Sequence, residues 1–176
     1  MGKGNRRSTR VPGYDYTSPG AYFVTVVAYQ REMLFGEIEN DEMYLNERGK
    51  IVSECWHEIP NHFSHVELGA FVVMPNHVHG IIIITDNIRR GTIYRAPTKT
   101  TEKFGKPVSG SLPTIMRTFK AAVTRRIGRE LTETGIWQRN YYDHIIRDDS
   151  DWQRIHDYIL ANPSNWSDDE ENQPWN

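Results

Sequence analysis

Two histidines separated by a single residue, His77 and His79, are the first feature of the sequence that could do chemistry. In a β-strand successive side chains alternate between faces, so both imidazoles would project from one face and Val78 from the other. Two imidazoles on one face can hold a single divalent cation when each ring donates its other N–H to a neighbour. Half-exposed strand histidines without a bound ion show the same spacing, so the pair alone leaves both interpretations open.

Tyr158 and Asn162 form the second candidate group. Residues four apart lie on one face of a helix, and of the nine tyrosines only Tyr158 is followed at that distance by an amide, acid or imidazole. A phenol, with a pKa of about 10, is a weak nucleophile near neutral pH. It becomes useful when a cation polarises the phosphate that it attacks. The structural alternative is that an Asn before Pro163 simply ends a helix and that the tyrosine is a core or rim residue.

The pattern of apolar residues predicts the elements that would position these groups. Four strands are expected, at 21–31, 66–74, 78–85 and 136–147. Helices are expected at 47–62, 112–131 and 151–162. A minor strand is expected around Tyr44 and Leu45. The order of the first six main elements is that of a split βαβ repeat, which gives an antiparallel sheet with helices on one face.

Length and composition limit the class of protein. The 176 residues suffice for one domain of ordinary size, and 38% hydrophobic with 25% charged residues excludes a wholly disordered chain. The single cysteine, Cys55, excludes a disulfide framework and a CxxC metal site, and fits a cytoplasmic protein. No apolar run approaches the length of about 18 residues that a membrane span needs, so no membrane association is expected.

The two ends of the chain differ from its middle. Residues 1–20 are rich in Gly, Pro and Arg and are interpreted as a basic arm, whereas residues 21–163 would form the folded domain. The segment 164–176 is polar and acidic, and we expect it to be a loosely ordered tail. A long segment without periodicity, 86–111, is typical of a functional or mobile loop.

The distribution of charge is more informative than its total. The formal net charge of −2 by itself argues against a nucleic-acid-binding protein, but the tail contains four consecutive acids, and the rest of the chain is net positive. The predicted helix 112–131 carries five basic residues against one acid. Local positive charge can neutralise phosphates, although a solvated helix face is the alternative.

Three stretches together resemble one known family. FVVMPNHVHGIIII resembles the histidine motif of the single-tyrosine HUH transposases, which act on single-stranded DNA, and is most similar to that of the REP-associated tyrosine transposases. WQRNYYDHIIRDDSDWQRIHDYILANP resembles their tyrosine-bearing C-terminal block, and GAYFVTVVAYQRE with LFGEI resembles their first strand. The resemblance, over roughly residues 6–163, implies an α+β fold: a ferredoxin-like split βαβ antiparallel sheet with helices packed mainly on one face.

The resemblance also implies a role for each candidate residue. His77, His79 and Asn162 would hold one Mg²⁺ or Mn²⁺. Tyr158 would attack a scissile phosphate, forming a 5′-phosphotyrosine link and releasing a 3′-hydroxyl, and rejoining would reverse this step. The implied partner is single-stranded DNA with hairpin-forming repeats. Such proteins include monomers and dimers that exchange the tyrosine helix, so a homodimer remains an open alternative.

Contacts to DNA are expected to be mostly electrostatic. Three basic residues are the candidates for binding phosphates: Arg117, Lys120 and Arg147. The resemblance places Lys120 best, and surface solubility is the alternative for each. Trp137, Tyr141 and Tyr142 could stack on unpaired bases, although their alternation with polar residues also fits packing within a sheet.

Other functions fit parts of this pattern. A histidine-triad hydrolase would need a third histidine where Ile81 stands. A zinc hydrolase would need an HExxH motif or acids near His77, and the sequence has neither there. A non-catalytic single-stranded nucleic-acid-binding protein on the same scaffold would need the basic surface but not Tyr158. This last class is the alternative to a transposase.

Overall fold

The computed structural model describes residues 11–86 and 108–172. The main strands are β1 (Gly20–Val27), β4 (Val66–Val73), β5 (His77–Ile84) and β6 (Tyr142–Ile146), and a separate hairpin consists of β2 (Gly36–Glu39) and β3 (Glu42–Leu45). The helices are α1 (Glu47–His57), α2 (Ile59–His62), α3 (Leu112–Leu131) and α4 (Asp149–Ala161). The main sheet is antiparallel with the spatial order β4–β5–β1–β6. Within the described ranges, none of the helices has the length and apolar character that crossing a bilayer requires.

The two faces of the main sheet carry different helices. α1 and α3 bury one face in the larger core, where Trp56 and Phe119 pack together. α4 packs on the opposite face, where Ile155 and Ile159 lie against Phe23. Two of the three long helices therefore share a face, which confirms the predicted α+β class with an antiparallel sheet and helices mainly on one side. Because side chains alternate along β5, the face that α4 partly covers also carries both histidines.

A close approach at Gly80 holds α1 against the centre of the sheet. Trp56 of α1 stacks on Phe71 of β4 with ring centroids 4.5 Å apart and planes inclined by 8°. A Cβ atom on Gly80 would lie 2.3 Å from the Trp56 ring. Only a residue without a side chain allows the indole to lie at this position, directly behind the strand that begins with the histidine pair.

Three predicted elements differ clearly from those observed. The strand expected at 21–31 ends at Val27, and a 3₁₀ helix, Tyr29–Arg31, follows it. The helix expected at 47–62 is divided into α1 and α2, with Pro60 in the first turn of the second helix, where its missing N–H is tolerated. The strand expected at 136–147 shortens to β6. Before it, only Trp137 forms a bridge, to Ala28, and the next carbonyl groups, of residues 138–140, bind the ammonium group of Lys120 instead of a neighbouring strand.

Both terminal segments contribute to the fold where they are described. Tyr16, within the predicted arm, is buried and donates a hydrogen bond of 2.7 Å to Asp143 of β6. The prediction of a loosely ordered tail is wrong for residues 164–172. They form two 3₁₀ helices, Pro163–Asp168 and Glu170–Asn172. Asp169 accepts from Asn162, and the carbonyl group of Glu171 accepts from Asn76, next to the histidines. Residues 1–10, 87–107 and 173–176, which include parts of the predicted arm, loop and tail, lie outside the described residues.

Candidate active site

The two histidines lie together at the beginning of β5, in the middle of the sheet. The register pairs His77 with Val27 and His79 with Thr25 of β1. Both side chains are buried, and their Nε2 atoms are 2.9 Å apart. Two atoms in adjacent positions around an octahedral ion, each about 2.1 Å from it, are about 3 Å apart. The spacing of the imidazoles therefore fits a shared cation.

Asn76 orients the ring of His77. The amide nitrogen of Asn76 donates to the carbonyl oxygens of Arg31 (3.3 Å) and Glu171 (2.8 Å), which determines the orientation of the amide. Its Oδ1 atom therefore accepts from Nδ1 of His77 at 2.8 Å. With the ring proton on Nδ1, the Nε2 atom of His77 has the lone pair that a metal ion needs.

Thr25 of β1 gives His79 a partner that can act in two ways. Its hydroxyl oxygen lies 2.8 Å from Nδ1 of His79, and a hydroxyl both donates and accepts. Nε2–H of His79 can donate to His77 while Nδ1 accepts from Thr25. When the proton moves to Nδ1 and Thr25 accepts it, the Nε2 lone pairs of both histidines point to the same place.

Burial keeps both imidazoles neutral near pH 7. It lowers the pKa of His77 to about 4, although Asp169 and Asn162 act in the opposite direction. Burial and, secondly, the neighbouring His77 ring hold the pKa of His79 well below its usual value. Since the neutral ring is the form that binds a metal, both histidines are in their ligand form.

Tyr158 reaches this histidine pair from α4. The side chain of Asp148 caps the helix, and the buried Ile155 and Ile159 anchor it on the sheet. The Tyr158 hydroxyl lies 3.2 Å from Nε2 of His79 in the same chain. The side chain nevertheless remains 44% exposed. The phenol oxygen is thus beside the candidate cation position and accessible to a large substrate.

Asn162 lies one turn after Tyr158, as the sequence predicts, and it is buried. Its Oδ1 atom lies beside His77 and makes no hydrogen bond of ordinary geometry, whereas Nδ2 donates to Asp169 at 3.0 Å. A buried oxygen without a partner is costly, and a cation at the histidine pair would satisfy it. The residues therefore fit a divalent ion.

Asp169 completes the group, and sequence reasoning missed it. One potential ligand atom from each of His77, His79 and Asp169 lies within 4.8 Å of the others. We refer to His77, His79, Asn162 and Asp169 as the cation cluster. The only signal for Asp169 in the sequence was an acidic run, which was interpreted as a tail. The structure shows that this run returns to the site, since Trp166 lies over His77 (5.9 Å between ring centroids).

Two of the basic residues expected to bind DNA lie away from the cation cluster. Arg117 is exposed on α3, on the other side of the sheet. Arg147 is exposed just after β6, where the neighbouring Ile146 pairs with Ala21 at the start of β1, whereas the histidines adjoin the end of β1. Their binding to phosphates stays a prediction.

Lys120 has a structural contact in addition to any role with DNA. Its ammonium group donates to the carbonyl oxygens of Gln138 (2.5 Å), Arg139 (3.3 Å) and Asn140 (3.1 Å). Burial lowers the pKa of Lys120 to about 8, so the group is still mostly protonated at pH 7. It holds the segment that leads into β6, and its binding to phosphates also stays a prediction.

No protein-family model matches the chain. A protein of uncharacterized function from Haemophilus influenzae is 40% identical over 166 residues, which cover 94% of this chain and 92% of that protein. A second protein of the same organism, provisionally named a REP-associated tyrosine transposase, is 28% identical over 149 residues, covering 85% of this chain and 73% of that protein.

One solved structure has the same fold. It is a REP-associated tyrosine transposase bound to a REP hairpin, with a TM-score of 0.60 and 21% sequence identity over 87% of this chain and 72% of that one. The chain is therefore similar in sequence to a protein named as a REP-associated tyrosine transposase, and it has the fold of a solved one.

Proposed function

We propose that this protein cleaves and rejoins single-stranded DNA in a divalent-metal-dependent reaction of the HUH type, with Tyr158 as the nucleophile. The observation that carries the proposal is the meeting of the Tyr158 hydroxyl with the buried histidine pair, 3.2 Å from Nε2 of His79. The half-exposed nucleophile adjoins two buried, neutral imidazoles and a buried amide oxygen that makes no hydrogen bond.

The chain supplies a mixed set of ligands. His77, His79 and Asn162 would hold the ion, and Asp169 adds a carboxylate oxygen. Oxygen ligands suit Mg²⁺, whereas the two imidazoles favour Mn²⁺ and other transition metals. When bound, the ion would neutralise part of the negative charge on the scissile phosphate. The residues around it hold the ligands in place before the substrate arrives, which lowers the cost of reorganisation.

Tyr158 performs the transfer. Its Oη atom forms a bond to phosphorus while the bond from phosphorus to the 3′ oxygen breaks. The phenolic proton leaves to water on the exposed side of the ring, and the departing 3′ oxygen takes up a proton to become a hydroxyl. The DNA on the other side stays joined to the enzyme as a 5′-phosphotyrosine. Attack by a 3′-hydroxyl reverses these steps without an external energy source, because the phosphodiester energy is retained in the link.

The substrate class is inferred from the relatives. A relative of this fold was solved with a REP hairpin, and we propose that this chain also acts at a hairpin with an unpaired flank. Arg117, Lys120 and Arg147 would contact the DNA backbone, and such contacts would make binding weaken as salt increases.

The decisive experiment detects the covalent link. Hairpin oligonucleotides with unpaired flanks and a 3′-end label are incubated with the full chain and Mn²⁺, and the products are separated by denaturing electrophoresis. We expect a labelled protein band that disappears with EDTA and in the Tyr158→Phe and His77→Ala variants. Tyr44→Phe is the matched control, because Tyr44 is equally exposed, at 50%, on the β2–β3 hairpin.

Two outcomes would contradict the proposal. One is an adduct that survives in Tyr158→Phe. The other is hairpin binding without any adduct across a broad panel of sequences, which would favour the non-catalytic nucleic-acid-binding protein. The Tyr158→Phe protein should still bind the hairpin, because the substitution removes the nucleophilic oxygen and leaves the basic surface intact.

A further inference from the structure

Tyr142 lies on the same face of the sheet as the histidines. Thr25 of β1 pairs with His79 on one side and with Tyr142 on the other. Residues directly opposite each other in antiparallel strands project to the same face, so the three side chains form a row across three adjacent strands. Tyr142 is at the outer end of the row, on the edge strand, and is 50% exposed.

Phe23 connects Tyr142 with the nucleophile. Its ring centroid lies 6.1 Å from that of Tyr158 and 6.4 Å from that of Tyr142, both in edge-to-face geometry. Phe23 also stacks on His79 at 5.3 Å. Phe23 is buried, whereas both tyrosines are about half exposed. The two phenol rings are therefore held on the same buried ring and adjoin the same cation cluster.

The neighbouring aromatic residues do not share this position. Trp137 and Tyr141 pack against the larger core on the opposite face of the sheet. α4 reaches β6 at His144, which bonds to Asp151 at 2.7 Å. Tyr142 lies one step nearer to the histidine end of the sheet, beyond this contact. It is thus the aromatic residue of this segment that faces solvent beside the nucleophile.

We propose that Tyr142 stacks on an unpaired base next to the scissile phosphate and forms a nucleotide subsite of the cleavage site. This inference rests on the proposed function, because Tyr158 defines where the phosphate lies. An exposed aromatic ring binds unpaired bases through their faces with little dependence on sequence. A ring held in advance by Phe23 loses little freedom on binding, so it positions the strand as well as binding it.

The test is a double-mutant cycle that combines removal of the Tyr142 ring with removal of single bases of the DNA. The affinity for DNA is measured with the Tyr158→Phe protein, so that no cleavage occurs. Tyr142→Ala and Tyr142→Phe are compared on a hairpin oligonucleotide with an unpaired flank, and on versions with one abasic nucleotide at each flank position. We expect Tyr142→Ala to weaken binding roughly 5- to 100-fold, whereas Tyr142→Phe keeps the ring and the affinity. At one flank position, removal of the base should weaken binding by the protein with Tyr142 and have little effect in Tyr142→Ala.

Tyr44→Ala serves as the control for loss of an exposed tyrosine on the separate β2–β3 hairpin, and it should leave binding unchanged. Independent effects of ring and base at every flank position would overturn the subsite, as would a Tyr142→Phe protein as impaired as Tyr142→Ala. If the wild-type protein forms the covalent adduct while ring and base show no coupling, only the subsite fails. If no hairpin is bound or linked, both proposals fail.

Discussion

Each residue expected to hold the cation forms a hydrogen bond with another side chain: His77 with Asn76, His79 with Thr25, and Asn162 with Asp169. These partners determine which atom of each ligand faces the cluster. In metal sites such outer contacts hold ligands in the correct tautomer and orientation. The chemistry of the site therefore depends on the partners of the ligands as well as on the ligands themselves.

Thr25 offers the clearest test of this dependence. Replacing it with Val keeps the shape of the side chain but removes the hydroxyl that accepts from Nδ1 of His79. We expect Thr25→Val to weaken Mn²⁺ binding by about 10- to 100-fold, measured by calorimetric titration. Thr25→Ser keeps the hydroxyl and should bind Mn²⁺ nearly as well as the wild type. Equal affinities for the Val and Ser variants would contradict this role.

Among the secondary-structure elements, β5 depends most on its neighbours. Its first residues carry the histidines, and its fourth residue, Gly80, lies under Trp56 of α1. The packing of Trp56 against one face of β5 therefore supports the histidines on the opposite face of the strand.

The Gly80→Ala variant tests this packing. The added Cβ atom would overlap the Trp56 ring, and overpacking of this kind costs about 1–3 kcal/mol of the free energy of unfolding. Urea denaturation measures the loss. Gly128→Ala on α3 is the control: its Cβ would be no closer than 3.4 Å to any neighbour, so it should leave stability unchanged or raise it by up to about 1 kcal/mol. A Gly80→Ala protein as stable as the wild type would show that α1 can move away from the strand without cost.

The buried ammonium group of Lys120, which joins α3 to the segment before β6, should make the free energy of unfolding depend on pH. Burial lowers the pKa of Lys120 to about 8, whereas a lysine in the unfolded chain titrates near 10.4. Between these values the unfolded chain binds more protons, so the contribution of Lys120 to the free energy of unfolding rises with pH. The penalty for the buried charge is present below pH 8 and is relieved as the pH approaches about 10.

Urea unfolding of the wild type and of Lys120→Met at pH 7.5 and 9.5 measures this contribution. The stability of the wild type relative to Lys120→Met should increase at the higher pH. Lys50→Met provides the comparison, because Lys50 is exposed and Glu47 raises its pKa, so no such increase is expected. A difference between wild type and Lys120→Met that does not change with pH would contradict the prediction.

At the scale of the whole molecule, the two faces of the main sheet have different roles: one carries most of the buried core, and the other carries the candidate site. The larger core lies on the face of α1 and α3, while the cation cluster, Tyr158 and Tyr142 lie on the face of α4. The segment after α4 then closes one side of the cluster, where Arg31 pairs with Glu171 at 3.1 Å. Asp169 and Glu171, after α4, thus adjoin the candidate site.

Asp169→Asn tests whether this closure contributes to metal binding. The variant keeps an oxygen that can accept from Asn162 but loses the negative charge, so we expect Mn²⁺ affinity to fall about 10-fold or more. An ion at 100 times its dissociation constant stabilises the folded state by about 2.7 kcal/mol, so the loss is visible as a smaller Mn²⁺-induced increase in Tm. Asp168→Asn, next to it and exposed, is the matched control and should leave the increase unchanged. Equal increases in Tm for both variants would exclude Asp169 from the cluster.

Spacing within single elements could be predicted from the sequence. His77 and His79 share a face because strands alternate, and Tyr158 and Asn162 share a face because a helix turns once in 3.6 residues. The helix at 112–131 was predicted with the observed bounds, since its apolar period is unambiguous. The family resemblance and the fold class followed from the same local patterns.

Only the tertiary structure decided which distant residues meet. Thr25 and Asp169 have no spacing in the sequence that relates them to His79 and Asn162. Tyr142 and Tyr141 are adjacent in the sequence, but Tyr142 lies on the face of the histidines whereas Tyr141 packs against the larger core. The packing of α3 beside the segment before β6 brings Lys120 to backbone carbonyl groups and leaves Arg117 exposed. Such contacts depend on strand pairing and helix packing summed over the whole chain, whereas the geometry of one turn or one strand depends on a few neighbouring residues.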